Sequence, residues 1–317
     1  MLKKWIAGVA IVAIAAVVIY VGGGSWFAAR MLGDTLRVGA PTAQGDGWPA
    51  PQRPEDIGYA GDPRAAFGYD FDAVEIETEI GVLPAWLVHP TLATTSRWAI
   101  FVHGIGGKRE NGYRFLPVLH DAGMPTLMIS YRNDADAPAA PDGFYAFGLT
   151  EWGDLDAAVQ YAIDHGATDI VLIGESMGGG IVGQFLLQSG LADMVSAVVL
   201  DAPALDFNAI VADQIGRTGL PLARVLATGG VWLSGLMLPI KIGSASVSDV
   251  VADYAGPLFL SHGETDRVVP IATSDALVTR RAAVTEYLRT KADHIQSWQE
   301  DPARYDATLR AFLLEVP

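Results

Sequence analysis

One stretch in the middle of the chain, residues 170–180, restricts the fold more than any other. Its sequence, IVLIGESMGGG, joins an apolar run directly to a serine that is surrounded by glycines. The apolar run predicts a buried strand that ends at Gly174, and the glycines predict a sharp reversal at Ser176 with a helix from about Met177. Such a turn would push the serine hydroxyl out of the fold, beside the free N–H groups of the new helix.

The segments around this unit repeat the same alternation of strand and helix. An antiparallel hairpin with its turn at Gly81 is predicted first, because 74–78 alternates between apolar and polar residues and the apolar run 85–88 returns after the turn. Short apolar strands follow at 98–102, 126–131, 169–174, 195–200, 257–261 and 285–288, with helices at 113–121, 151–165 and from Asp301. This order predicts an α/β fold with a mostly parallel central sheet that helices cover on both faces.

Composition narrows the classes of function. The chain has 317 residues, of which 50% are apolar, enough for one large α/β domain with a buried core. Its formal net charge of −15 disfavours binding to nucleic acid, so we expect no such partner. The absence of cysteine excludes disulfides and cysteine-based metal sites, and the six histidines lack zinc-site spacing.

The N-terminus carries the second strong signal. Lys3 and Lys4 precede residues 5–29, which contain no Asp, Glu, Lys or Arg. As a helix this segment would exceed the hydrocarbon core of a bilayer, which is about 30 Å thick. We predict an uncleaved single-pass anchor over residues 1–29, with the N-terminus cytoplasmic and the rest of the chain outside. The alternatives are a cleaved signal peptide and a buried helix of a soluble protein.

The composition changes after the anchor. Residues 30–68 interleave prolines with glycines, which predicts a semi-rigid tether to a domain at 69–317. Within that tether, Trp48, Ile57 and Tyr59 are candidates for packing against the domain.

The strand–helix alternation breaks between Asp201 and Tyr254. Residues 225–240 are uncharged and rich in large apolar side chains, Trp232 among them. We interpret about 204–253 as a helical cap insertion. Ordinary domain helices and a second membrane contact are the alternatives.

Three motifs together resemble the α/β-hydrolase superfamily. The G-x-S-x-G unit resembles its nucleophile elbow, HGIGG at 103–107 its oxyanion loop, and HGETD at 262–266 its acid-bearing loop. The last two are similar to motifs of the dienelactone-hydrolase-like and serine-peptidase-like branches. The resemblance covers about residues 69–317, and it implies the α/β-hydrolase fold with a cap.

The resemblance also implies a catalytic triad in the chain order serine, acid, histidine. Ser176 would be the nucleophile, Asp266 the acid, and His294, the last histidine of the chain, the base. Asp201 is the rival acid, because it also ends a predicted strand.

An oxyanion hole is implied in the same way. Its two donors would be the N–H groups of Met177 and Ile105, and Gly104 and Gly106 are the alternatives to Ile105.

The remaining motif histidines, His103 and His262, are expected to support their loops rather than to react.

The function implied is that of a membrane-anchored serine hydrolase that cleaves carboxylic esters through an acyl-enzyme intermediate. It would need no metal or organic cofactor. The apolar insertion suggests a small-molecule, hydrophobic acyl substrate. A peptidase or amidase with the same triad and an inactive hydrolase-like binding protein are the alternatives, and the sequence leaves the oligomeric state open.

Overall fold

The computed structural model of the chain describes residues 2–40, 50–92 and 95–316. The part of the predicted tether at 41–49, including Trp48, lies outside the described residues. Eight strands form one sheet: β1 (Phe71–Thr78), β2 (Gly81–Val88), β3 (Arg97–Val102), β4 (Thr126–Ile129), β5 (Asp169–Glu175), β6 (Val195–Asp201), β7 (Leu258–Gly263) and β8 (Thr285–Thr290).

The sheet has the order β1-β2-β4-β3-β5-β6-β7-β8. The hairpin β1–β2 and the β2–β4 pair are antiparallel, and the other strand pairs are parallel. The predicted α/β-hydrolase fold with a mostly parallel sheet is therefore confirmed. Because parallel strands end on the same edge, the loops after β3, β5 and β7 meet there.

Helices flank the sheet and extend from it. They are α1 (Leu2–Leu36), α2 (Pro63–Phe67), α3 (Leu116–Asp121), α4 (Trp152–Asp164), α5 (Met177–Gln188), α6 (Phe207–Arg217), α7 (Ala223–Met237), α8 (Ser248–Asp253), α9 (Ala272–Arg280), α10 (Ser297–Glu300) and α11 (Pro302–Glu315). The described residues also include three short 3-10 helices, Arg109–Arg114, Ala192–Met194 and Ile242–Ser244.

Alternate residues of the central strands enter two separate cores. In β5, Ile170 and Leu172 pack with α4 and α5 on one face, whereas Val171 and Ile173 pack with α3 and α11 on the other. All four side chains are fully buried. Burial of an aliphatic side chain of this size contributes about 1.5–3 kcal/mol, so a strand with two buried faces holds the site rigidly.

The N-terminal helix differs from the predicted segments. We predicted an anchor that ends at residue 29, but α1 continues to Leu36 as one helix. Its C-terminal half packs against α7, and Ala28, Ala29 and Leu36 are buried there. Residues 30–36, which we assigned to the tether, therefore belong to a helix that tertiary contacts extend.

Another part of the predicted tether also packs on the domain. The rings of Tyr59 and Phe67 lie 6.0 Å and 5.3 Å from the ring of Tyr113, measured between centroids. These residues join the core on the α3–α11 face. The division of the chain into anchor, tether and domain otherwise stays a prediction.

Helices α6, α7 and α8 lie between β6 and β7, in the region where we expected the cap insertion. Phe207, Val211 and Ile215 of α6 share a hydrophobic cluster with Leu226 and Val231 of α7. The same cluster includes Ala28 and Leu36 of α1. The cap region and the N-terminal helix thus have a common core.

Candidate active site

The turn between β5 and α5 places Ser176 in an unusual backbone conformation. Its φ is 50° and its ψ is −116°, a region that costs a residue with a side chain roughly 1–3 kcal/mol. The flanking glycines make the turn possible. A Cβ at Gly178 would lie 2.1 Å from the carbonyl oxygen of Val102, and one at Gly174 would lie 2.8 Å from the Gly179 nitrogen.

The three residues predicted as a triad lie in one hydrogen-bonded chain. His294 Nε2 is 2.9 Å from Ser176 Oγ, and His294 Nδ1 is 2.8 Å from Asp266 Oδ2. In this arrangement Nδ1–H donates to the carboxylate, which leaves Nε2 free to accept the serine proton. The side chains come from the loops after β5, β7 and β8, and all three are buried.

Asp266 is held as an ionised carboxylate. Burial opposes its ionisation, but hydrogen bonds from His262 and His294 hold the pKa of this carboxyl well below its usual range. The N–H groups of Val268 and Val269 also donate to Oδ1, at 2.7 Å and 2.8 Å. Asp266 can therefore orient His294 and stabilise the imidazolium that forms when His294 takes a proton.

His262 has a closer relation to the triad than we predicted. We expected it only to support its strand end, but its Nε2 lies 3.1 Å from Asp266 Oδ2, and its Nδ1 lies 2.7 Å from Ser274 Oγ. Nε2 also approaches the carbonyl oxygen of Val269 at 3.1 Å. The sequence signal for this contact is the four-residue spacing between the histidine and the aspartate in HGETD.

The rival acid Asp201 has different partners. Its Oδ2 accepts from Arg114 Nε at 3.1 Å and Nη2 at 2.7 Å, and its Oδ1 accepts from Ser261 Oγ at 2.8 Å. Arg114 also donates to Glu175 Oε2 at 2.8 Å. Both oxygens of Asp201 are thus committed to a fully buried ion-pair network beneath the elbow, which the sequence did not reveal.

In the HGIGG loop the N–H groups of Gly104 and Gly107 are committed to acceptors, whereas that of Ile105 is free among the described residues. Gly104 N–H donates to Glu175 Oε1 at 3.2 Å, which removes it as an oxyanion donor. Over residues 2–40, 50–92 and 95–316, no acceptor takes the N–H of Ile105 or that of Met177. Ile105 also lines the cavity beside His294. Gly106, the other alternative, is the next residue and adopts a φ of +62°.

His103 supports this loop from below. Its Nε2 lies 2.8 Å from Asp134 Oδ2, its Nδ1 lies 2.9 Å from the Gly104 carbonyl oxygen, and its ring stacks on Tyr131. Burial disfavours the charged ring, but the carboxylate of Asp134 outweighs this and raises the pKa of His103. Both ring nitrogens face acceptors, as an imidazolium requires, so this histidine has a structural role.

A cavity of about 460 Å³ reaches His294 and Ile105. Its lining is mostly apolar, and it comes from the N-terminal helix, the cap and the loops of the site: Ala28, Met31, Leu32, Thr35, Leu36, Ile105, Phe147, Phe207, Ile210, Val211, Gln214, Ile215, Arg267, Val268, Asp293 and His294. A groove of about 820 Å³ between β1 and α4 contains none of the triad residues. The cavity that reaches His294 and Ile105 is therefore our candidate for the substrate site.

The cap is tied directly to the acid-bearing loop. Gln214 Nε2 of α6 donates to the carbonyl oxygens of Arg267 and Val268, at 2.8 Å and 3.0 Å. Arg217 Nη2, also of α6, donates to the Asp266 carbonyl oxygen at 3.2 Å. These hydrogen bonds thus fix the position of α6, which lines the cavity, relative to the loop that carries Asp266.

Comparison with known proteins agrees with this architecture. Residues 99–223 match the sequence model of a family described as having the alpha/beta hydrolase fold. Human Protein ABHD12B is 27% identical over 182 residues, which cover 54% of this chain and 46% of that protein. The chain thus spans about half the length of this curated relative.

Solved esterase structures share the fold. The Pyrococcus furiosus esterase Pf2001 superposes with a TM-score of 0.63 at 19% identity, over 85% of this chain and 99% of that one. Est1E from Butyrivibrio proteoclasticus, solved with ferulic acid bound, gives 0.58 at 19% identity, over 77% and 99%. The sheet order, the strained serine elbow, the family match and these structures together show that the chain has the α/β-hydrolase fold.

Proposed function

We propose that this protein is a serine hydrolase that cleaves carboxylic esters through an acyl-enzyme intermediate. The observation that supports the proposal most directly is the hydrogen-bonded chain from Ser176 through His294 to Asp266, at the edge of a mostly apolar cavity. A serine hydroxyl is a weak nucleophile without a base, and this geometry provides one.

In the proposed acylation step, Ser176 Oγ attacks the ester carbonyl carbon while His294 Nε2 accepts the hydroxyl proton. The carbonyl oxygen becomes an oxyanion, which the N–H groups of Met177 and Ile105 stabilise. The carbon–oxygen bond to the alcohol then breaks, and His294 gives its proton to the departing alkoxide. The products of this half-reaction are a free alcohol and an ester on Ser176.

In the proposed deacylation step, water takes the place of the alcohol. His294 accepts a proton from the water as its oxygen attacks the acyl carbon, and the oxyanion forms again in the same position. Collapse of this intermediate breaks the bond to Ser176 Oγ, which recovers its proton from His294. The carboxylic acid leaves, and the enzyme returns to its starting state.

The membrane attachment is a second part of the proposal. Helix α1 includes a segment, Lys3–Leu36, that is long and apolar enough to cross a bilayer, with a mean hydropathy of 2.5 in its most apolar window. We propose that it crosses once, with the N-terminus in the cytoplasm and the α/β domain outside, because Lys3 and Lys4 precede the apolar residues. The partners would then be a hydrophobic acyl substrate and the lipid bilayer.

The experiment that tests the reaction compares esters with amides. The full chain, purified in lipid nanodiscs, is assayed on p-nitrophenyl butyrate and on the matching p-nitroanilide. We expect turnover of the ester, and a loss of kcat of at least about 10³-fold in Ser176→Ala and His294→Ala. Hydrolysis of the anilide without the ester would favour a peptidase or amidase. Hydrolysis of neither would favour an inactive binding protein.

A further inference from the structure

Helix α1 has two halves with different surroundings. Its first half is fully exposed, so that Ile19 retains 74% of its accessible surface, whereas Leu36 near the end retains 2%. Contact with the domain begins at Tyr20, whose hydroxyl donates to the Pro221 carbonyl oxygen at 2.8 Å. A single continuous helix therefore joins the proposed membrane segment to the α/β domain, with no break between the two.

The second half of α1 lies beside α7, and the two helices run in the same direction. Small residues allow the close approach. A Cβ at Gly229 would lie 2.2 Å from Ser25 Oγ, and one at Gly230 would lie 2.5 Å from Ala28 Cβ. The position of this half relative to the cap is consequently fixed by backbone packing rather than by a flexible joint.

A neighbouring face of the same half helix lines the cavity that reaches His294. The lining residues recur at helical spacing: Ala28, Met31, Leu32, Thr35 and Leu36. They form one part of the cavity wall, and Ile105 of the HGIGG loop and His294 after β8 form another part. The part of the chain that we assigned to an anchor and a tether is thus part of the cavity.

Large apolar side chains are exposed on the outer surface near this wall. Trp26 and Phe27 of α1 are more than half exposed, as are Trp232 and Leu236 of α7. A bilayer core takes about 20 helical residues, so a span that begins at Trp5 would end near Ser25. The lining residues therefore begin within about one helical turn of the point where α1 would leave the hydrocarbon.

We propose that residues 28–36 of α1 form one wall of an acyl-binding site, and that its occupant is the acyl chain of an ester that resides in the membrane. Met31 and Thr35, whose side chains are exposed on the helix but line the cavity, would set the preference for chain length. This inference rests on the proposed ester hydrolysis. It adds that the membrane anchor is also a determinant of substrate specificity.

The test places larger side chains at the cavity-lining positions of α1 and measures the preference for acyl chain length. Met31→Trp and Thr35→Trp are assayed in nanodiscs on p-nitrophenyl decanoate and acetate. We expect the ratio of kcat/KM for decanoate to that for acetate to fall by about 10-fold or more, because each indole occupies space that the longer chain needs. The matched control is Asp34→Trp, the same side chain at an exposed position that does not line the cavity, and its ratio should stay at the wild-type value.

A smaller substitution guards against misfolding. Met31→Ala cannot clash, and by removing apolar contact with the long chain it should lower the same ratio by about 3-fold or more. The inference would be overturned if the decanoate-to-acetate ratio of kcat/KM were the same in Met31→Trp, Thr35→Trp and Met31→Ala as in Asp34→Trp. If wild type hydrolyses neither ester, the proposed function itself fails. If it hydrolyses both and the wall variants match the control, only the assignment of the α1 wall fails.

Discussion

At the scale of single residues, two buried carboxylates at neighbouring strand ends have different tasks. Asp266 accepts hydrogen bonds from two histidines and two backbone N–H groups, and it holds the ring that faces Ser176. Asp201 neutralises Arg114 beneath the elbow. The carboxylate of Asp266 can stabilise the positive charge that His294 would gain in the proposed reaction. The carboxylate of Asp201 stabilises the permanent positive charge of Arg114.

Substitution of each carboxylate by its amide should separate these tasks. Asp266→Asn should lower kcat by about 10⁴-fold with little loss of fold, because His294 would lose the partner that sets its tautomer. Asp201→Asn should instead lower the free energy of unfolding by about 3 kcal/mol, because it breaks a buried ion pair. Kinetics per labelled active site and thermal unfolding measure the two effects. A stable Asp201→Asn protein with lost activity would reverse the assignment.

The His103–Asp134 pair should make stability depend on pH. Because the folded protein raises the pKa of His103 above its usual value near 6.5, this pair stabilises the fold fully below about pH 6.5 and less as pH rises through the raised pKa. The difference in Tm between wild type and His103→Gln should therefore be larger at pH 6 than at pH 9. A difference that grows towards alkaline pH would disprove the raised pKa.

At the scale of elements, the contact between α1 and α7 connects the proposed anchor with the proposed cap. The close approach depends on glycines of α7 that face α1, and it is part of the cluster that closes one side of the cavity. The hydrogen bonds from Gln214 and Arg217 then continue the connection to the acid-bearing loop. The helix pair is therefore expected to contribute to stability as well as to membrane attachment.

Leucine at two positions of α7 tests this packing. Gly230→Leu should destabilise the protein by about 1–3 kcal/mol, because its side chain would overlap Ala28. Gly235→Leu is the control, since a Cβ at Gly235 has no neighbour within 4 Å among the described residues. It should be neutral or slightly stabilising, as expected when glycine is replaced within a helix. Equal thermal stabilities of the two variants would show that the helix pair contributes nothing.

At the scale of the whole molecule, the features that could be predicted from the sequence are those that local motifs encode, namely the sheet and the residues of the candidate site. The strand–helix alternation and the three motifs around Ser176, Ile105 and Asp266 were sufficient to predict the sheet and to choose residues that the structure brings together. Each of these signals lies within a few residues of a strand end, where the fold leaves little freedom.

The features that sequence reasoning missed depend on contacts between distant segments. The packing of α1 on α7 joins residues about 200 positions apart, as in the hydrogen bond from Tyr20 to Pro221. The local sequence signal for this packing was the small residues within 22–29, but small residues are also typical of membrane segments. The network of Arg114, Glu175 and Asp201 likewise arises only when three elements meet.

The proposed orientation in the membrane makes a prediction for intact cells. With the N-terminus inside and the domain outside, added protease should remove a C-terminal tag and leave an N-terminal tag protected. The mass of the purified chain provides the control for the cleaved-signal alternative, because cleavage would remove the apolar segment. Protection of the C-terminal tag, with a cytoplasmic marker also protected and an external marker digested, would contradict the orientation.

Covalent labelling tests whether the strained elbow presents an activated serine. The full chain in nanodiscs is treated with a fluorophosphonate, and the modified residue is identified by mass spectrometry of the peptides. We expect a single adduct on Ser176 that is absent from Ser176→Ala and strongly reduced in His294→Ala. An unlabelled wild-type protein, or an adduct on a different serine, would contradict it.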